Sequence, residues 1–298
     1  MIFQCYDFRW IDEKSSEIQA NNGQKFAKRV LKTGDDLSIE IIDEVRCAGS
    51  YRDGIWKPCP NQVTGRKKCE ACRSREGNFI FTMFDGFDMS IFSPEDLKLL
   101  EGDHYVYLAF FDDGVIKIGV SKKDRKSLRQ LEQGAHFSLF IAQTSDGIKA
   151  RQIETLFRKD GIIDKLKSSE KAEFLYPDIN PEEAKKQLLE TFENHKNCLD
   201  SYEALRRFLI EPEFCDWGPF FGKAEIKSSL KPLETISFNV PGDWISGKIM
   251  GIKGPFITLD VGDHLMAFCA RDLSGYDADF SPKKTGFFRK NSIQNKLF

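Results

Sequence analysis

Four cysteines within 26 residues constrain this chain more than any other feature: Cys47, Cys59, Cys69 and Cys72, with spacers of 11, 9 and 2 residues. They lie in a polar segment, 46–78, broken by Gly49, Gly54, Pro58, Pro60, Gly65 and Gly77. Such a segment has too little apolar surface to order itself by burial, whereas a metal ion held by its thiolates would order it directly. Four thiolates complete a tetrahedron and leave no open position, so the expected ion is a structural zinc. The competing reading is four incidental thiols; the Cys-x-x-Cys end and the breaker-rich setting speak against it. Cys5, Cys198, Cys215 and Cys269 are scattered and are expected to be small buried residues.

Free thiols belong to a reducing compartment. The start, MIFQCYDFRW, shows no basic region followed by an apolar one, and YVYLAFF is far too short to span a bilayer. The expected location is therefore cytoplasmic, with no membrane partner. A formal charge of −2 gives no whole-protein attraction to polyanions, so such attraction must come from local patches. One patch is Arg66, Lys67 and Lys68 beside the cysteines. A second places six basic residues and one acid between Lys117 and Arg129, and includes Lys122, Lys123, Arg125 and Lys126. Both are candidate nucleic-acid contacts, against the alternative of a merely solvated surface.

The patterning predicts an α+β chain. Residues 1–45 read as an N-terminal β segment and 46–78 as the zinc module, a four-cysteine ribbon. A small α/β domain is expected over 79–175, a helical segment over 176–215, an antiparallel β domain over 216–282 and a basic tail over 283–298. NFIFTMF (78–84) reads as a strand, and Ser93-Pro94 as the start of a short helix. Within the α/β domain, HYVYLAFF and VIKIGV form a hairpin, a helix covers 123–132, FSLFIAQT is a third strand, and GIKARQIETLFRK is a second helix. Asn180-Pro181 opens another helix, and SYEALRRFLI (201–210) continues the helical run.

The hairpin and its helices carry Tyr107, Lys117, Arg129 and Glu154, the residue types a phosphodiesterase needs. A tyrosine can relay a proton, cations can neutralise charge on the phosphorane, and a carboxylate can hold a divalent metal. The order Tyr107, Lys117-Ile118-Gly119, Arg129, Glu154 resembles the GIY-YIG nuclease superfamily, in the branch whose second motif reads Lys-Ile-Gly. That resemblance spans about 103–160. It implies a GIY-YIG-like domain in which Tyr107, Arg129 and Glu154 carry hydrolysis, Lys117 replaces a second tyrosine, and Glu154 binds magnesium or manganese. Arg125 is a rival for the role of Arg129. A wider resemblance joins the four-cysteine segment, Tyr107 to Ala109, Arg129-x3-Gln133-Gly134-Ala135, Glu154, Gly251 to Gly254 and Gly275-Tyr276. These are similar to an uncharacterised family, domain of unknown function 2797, which implies an arrangement and no activity.

The end of the chain, Gln294 to Phe298, resembles the Gln-x-x-Leu-Phe peptide that docks on the bacterial sliding clamp; an ordinary tail is the alternative. The leading expectation is a zinc-ribbon endonuclease acting on DNA or RNA. The others are an inactive binder of nucleic acid or ribonucleoprotein, and an adaptor recruited through its terminal peptide.

Overall fold

The structure is a computed structural model that describes residues 2–23, 25–52, 55–64, 67–76, 83–90, 92–237, 240–281 and 286–289. The chain divides into two compact units, Met1–Gly77 with Phe220–Phe298, and Asn78–Pro219. Arg66, most of the strand expected at 78–84 and the terminal peptide Gln294–Phe298 lie outside the described residues.

The first unit is built on a ten-stranded sheet. Four strands come from the start of the chain: β1 (Ile2–Asp12), β2 (Ser15–Asn21), β3 (Phe26–Leu31) and β4 (Asp36–Ile41). A small hairpin, β5 (Ser50–Arg52) with β6 (Ile55–Lys57), and the helix α1 (Glu70–Arg75) belong to the cysteine segment. The sheet's later strands are β11 (Leu233–Ile236), β12 (Trp244–Lys253), β13 (Phe256–Asp260), β14 (Leu265–Cys269), β15 (Asp277–Asp279) and β16 (Gly286–Phe288). Their order is β11-β14-β13-β12-β4-β15-β1-β2-β3, with β16 also on β12.

The strands read from sequence as an N-terminal segment and a C-terminal β domain thus hydrogen-bond into one sheet. The joint is β4, whose Leu37, Ile39 and Ile41 alternate inward and which pairs with both β12 and β15. The sheet is mixed, because β11 runs parallel to β14. Trp10 strengthens the joint by donating its indole N–H to the Gly254 carbonyl at 2.9 Å.

The second unit holds a four-stranded antiparallel sheet, β10-β9-β7-β8, made of β7 (Glu101–Asp112), β8 (Val115–Lys122), β9 (Phe137–Asp146) and β10 (Leu209–Asp216). Its helices are α2 (Pro94–Lys98), α3 (Lys126–Gln133), α4 (Gly147–Lys159), α5 (Ser168–Glu173), α6 (Pro181–His195) and α7 (Glu203–Arg206). Ser93 closes a capping box with Asp96 on α2, and Asn180 caps α6 through the Glu182 N–H. The expected β-β-α-β-α order is present as β7, β8, α3, β9 and α4.

The helical run expected over 201–210 is cut short: α7 ends at Arg206, and Leu209 onward pairs with β9. Pro212 lies where the β9–β10 register shifts, and β10 is an edge strand, the place in a sheet that tolerates a missing N–H. Val106, Leu108 and Phe110 of β7 pack with Ile118, Leu139 and Ile141 against Ile153 and Phe157 of α4 and Leu188 of α6. Tyr107 and Ala109 on the other face of β7 are equally buried, so β7 is an interior strand covered on both sides.

Because Ile153 is fully buried on the helix that carries Glu154, Ile153→Ala should cost about 2–5 kcal/mol. Chemical denaturation measures this as a fall in the midpoint with the slope unchanged.

Candidate metal centre and polar cluster

In the first unit the cysteine segment has few apolar residues, and backbone hydrogen bonds fasten it to the sheet. The Arg46 N–H donates to Gly275 O at 2.9 Å, while within the segment Cys47 donates to Asn61 O at 2.8 Å and Ala48 to Lys67 O at 2.9 Å. The Arg46 guanidinium grips both oxygens of Asp277 at 2.7 Å, and the Gln4 amide donates to Cys47 O at 3.2 Å. Gly275 sits at φ +96°, where a Cβ would lie 2.2 Å from Arg46 O, so this junction admits glycine alone. Trp56 packs on Ala48 and stacks on Tyr6 at 5.1 Å, a small apolar plug beside the cysteines.

The sulfurs of Cys47, Cys59, Cys69 and Cys72 all lie within 4.8 Å of one another, and none is in a disulfide. A tetrahedral ion with metal–sulfur bonds of about 2.3 Å requires sulfur–sulfur edges of about 3.8 Å. Cys59 and Cys69 are 3.8 Å apart. The Cys69 N–H donates to the Cys47 sulfur at 3.2 Å, and the Asn61 amide reaches the Cys69 sulfur at 3.6 Å, the outer bonds that steady thiolate ligands. Burial pushes the Cys47 and Cys72 thiols up, and the neighbouring thiols raise Cys72 further. The Cys72 backbone N–H, with Cys47 and Asn61, pulls Cys69 down to about 6. Four crowded thiols of this kind become four thiolates only around a cation, so the group fits a structural metal such as zinc.

In the second unit Tyr107, Lys117, Arg129 and Glu154 come together. Tyr107 faces Gly119 across the β7–β8 ladder, and a Cβ on Gly119 would stand 2.6 Å from the tyrosine hydroxyl. The glycine of the Lys-Ile-Gly motif therefore makes room for the phenol ring. The hydroxyl is fully buried and closes no well-formed hydrogen bond; burial raises its pKa and the Arg129 charge opposes the rise. Lys117 is 6% exposed and donates to the Gln133 amide oxygen at 3.2 Å. That oxygen also accepts from Lys171 at 3.1 Å. Burial, then the Arg129 charge, lowers the Lys117 amine from 10.5 to about 8, with Glu154 and Asp164 working the other way.

Arg129 is raised despite burial, because Tyr107, Glu132 and Glu154 hold its charge. Its rival Arg125 is more exposed and is drawn to the same Glu132, at 2.5 Å against 3.8 Å for Arg129. Glu154 is 8% exposed and bonded to Arg151 one helical turn before it.

The remaining candidate contacts diverge. Lys123 pairs with Asp103 at 2.9 Å, and Lys122 flanks it at the end of β8. Lys126 is pinned over the Tyr105 and Phe140 rings and bonded to Glu213, so it is a packing residue more than an open phosphate ligand. Lys67 pairs with Asp272, and Lys68 with Glu76. Sequence reasoning missed Glu132 and Arg151 as partners of the cluster. Their i, i+3 spacing to Arg129 and Glu154 was the available signal.

A family model described as "Protein of unknown function (DUF2797)" matches residues 34–278. The chain belongs to that family. The match runs through all four cysteines and through Tyr107, Lys117, Arg129 and Glu154. No curated protein and no solved structure matches the chain. Among the described residues, no helix is long and apolar enough to cross a membrane.

Two outcomes follow from this DUF2797 geometry. Gly119→Ala should displace the Tyr107 ring and cost about 1–3 kcal/mol of stability, read as a lowered denaturation midpoint. Lys117 tests the second point. Its folded pKa is depressed, so between about 8 and 10.5 the unfolded chain binds the extra proton. Stability should therefore rise with pH across that window. Lys117→Met should remove that rise, and a wild-type slope identical to the variant's would refute the assignment.

Proposed function

We propose that this protein is a divalent-metal-dependent endonuclease acting on DNA or RNA, built on a GIY-YIG-like unit and carrying a structural zinc at Cys47, Cys59, Cys69 and Cys72. The observation that supports it is that Arg129 of α3 and Glu154 of α4 each interact with both Tyr107 of β7 and Lys117 of β8. Tyr107 stays a neutral phenol that orients or relays a proton from the attacking water. Arg129 and Lys117 offset charge on the phosphorane, and a lysine near 8 also exchanges its proton close to neutral pH.

Glu154 would hold magnesium or manganese, which polarises the phosphate when bound. Among the described residues no further carboxylates join Glu154 in a metal-binding group. The ion's other ligands would then be waters and substrate oxygens, a common pattern for magnesium. The terminal peptide Gln294–Phe298 would tether the enzyme to a sliding clamp, and a reducing cytoplasm suits four free thiolate ligands.

One observation favours a second reading, an inactive binder of RNA, DNA or ribonucleoprotein. Tyr107 is closed off from solvent, and Glu154 is already occupied by Arg151.

Wild type, Glu154→Ala and Arg129→Ala should be compared on branched, single-stranded and duplex DNA and RNA with magnesium or manganese. Cleavage by wild type, reduced about 100-fold or more in both variants, is the expected result. Cleavage untouched by either substitution rejects the site. Binding without cleavage, weakening steeply with salt, selects the binder. Metal analysis should find one zinc per chain in wild type and none in Cys72→Ser.

A further inference from the structure

A cavity of about 620 Å³ opens in the first unit beside the cysteine cluster, a size that suits a small ligand or one nucleotide of a strand. Four cations line it, Lys67, Lys68, Arg73 and Arg271, against one carboxylate, Asp7. Three of the cations also hold an acid: Lys67 with Asp272, Lys68 with Glu76, and Arg73 weakly with Glu70 at 3.4 Å. Arg271 differs. Its guanidinium makes no ion pair or hydrogen bond among the described residues, although it is half-buried. Asp7 feels Arg271, Lys68 and Arg9 through space and forms an ion pair with none of them; among the described residues its carboxylate accepts only the Phe8 N–H, at 2.9 Å. The Tyr6 hydroxyl, raised to about 12 by burial and by Asp7, stays protonated and able to donate.

An unpaired, preorganised guanidinium flanked by two ammonium groups and a phenol O–H is a donor set for a tetrahedral oxyanion. Glu70, Glu76 and Asp272 keep the resting surface near neutral, as an empty anion site requires. The Lys67 and Arg73 pairs are exposed and worth about 0–1 kcal/mol each, so an incoming phosphate displaces them at little cost, while Lys68 stays beside the more buried Glu76.

The cavity wall is the metal knuckle itself. Lys67 and Lys68 immediately precede Cys69, and Arg73 immediately follows Cys72. Cys72 is the one buried residue of α1, and the Cys72 and Arg73 N–H groups both donate to Cys69 O at 3.1 Å. Lys67 is tied to the segment as well, its carbonyl accepting the Ala48 N–H at 2.9 Å. Lys68 and Arg73, next to Cys69 and Cys72, depend most directly on the sulfurs.

We propose that this cavity binds a phosphate group, free or in a nucleic-acid strand, with Arg271 as its anchor, and that the bound metal sets its affinity by holding Lys67, Lys68 and Arg73 in place. The metal dependence rests on the zinc reading above; the anion site is independent of the nuclease reading.

The test is calorimetric titration of the full-length zinc-loaded protein, without magnesium, using inorganic phosphate, a nucleoside monophosphate and a short single-stranded oligonucleotide. Saturable binding of at least one of these is expected, weakened about tenfold or more in Arg271→Ala. It should weaken to a lesser degree in Arg271→Lys, which keeps the charge and loses the forked donors. Zinc content and circular dichroism should match wild type. Phosphate binding that needs Arg271, in a protein that cleaves no nucleic acid, leaves this reading standing while the nuclease reading fails. Binding of all three ligands identifies free phosphate as sufficient; binding of the oligonucleotide alone identifies a strand. Chelating the zinc should abolish binding while the sheet's dichroism persists. Failure of all three ligands to bind, or wild-type affinity in both Arg271 variants, overturns the site. Undiminished binding after chelation overturns the metal dependence.

Discussion

The four sulfurs are what the cysteine segment has in place of a core. Between Arg46 and Glu76 the described chain buries Cys47, Ala48, Gly49, Ser50, Trp56 and Cys72, too little apolar surface to offset the ordering of the segment. The Arg46 N–H on Gly275 O, the Arg46–Asp277 pair and the Gln4 amide on Cys47 O fix one end to the sheet, and the Cys47 and Ala48 N–H groups close bonds within the segment. The rest, including α1 and the loop before it, depends on the sulfurs staying together. A metal ion held by them would be a folding element for this segment, with no open catalytic position.

The second unit is organised by a different constraint. Burying β7 on both faces places the phenol of Tyr107 in the interior, and only a glycine opposite it can accept the ring. The polar end of that ring then needs charge nearby, and α3 and α4 deliver Arg129 and Glu154. Lys117, two residues from Gly119 on the same face of β8, is buried for the same reason and loses much of its hold on its proton. A motif that reads as a string of letters is thus one packing problem: Tyr107 needs Gly119, and the pair leaves a pocket of charge that Lys117 must share.

What could be read beforehand was what is local. The cysteine spacing, the β7–β8 hairpin, the caps at Ser93 and Asn180 and the core faces of α4 all depend on neighbours within a few residues. The strand β10 was missed because its pairing with β9 overrides a helical start at Glu203. The merging of early and late strands was missed because nothing near β4 announces that β12 and β15 will flank it. Among site residues, Glu132 and Arg151 were available through helical spacing. The sharing of the Gln133 oxygen by Lys117 and Lys171, and the gathering of Asp7 and Arg271 from opposite ends of the chain, are products of tertiary geometry.

The basic residues make the same point in energetic terms. Counting them between Lys117 and Arg129 overstates what a phosphate would find there. Lys126 is held by two rings and a carboxylate, and removing it from that setting would cost more than a surface contact returns. Lys123 is exposed and its pair with Asp103 is cheap to exchange. Arg125 and Arg129 compete for Glu132, a carboxylate too buried to go without a cation. Arg125 makes the closer contact, while Arg129 keeps a longer one and also feels the charge of Tyr107 and Glu154. Glu132 therefore ties the two arginines together: the exposed one makes the close bond to the buried acid, and the inner one links that acid to the polar cluster.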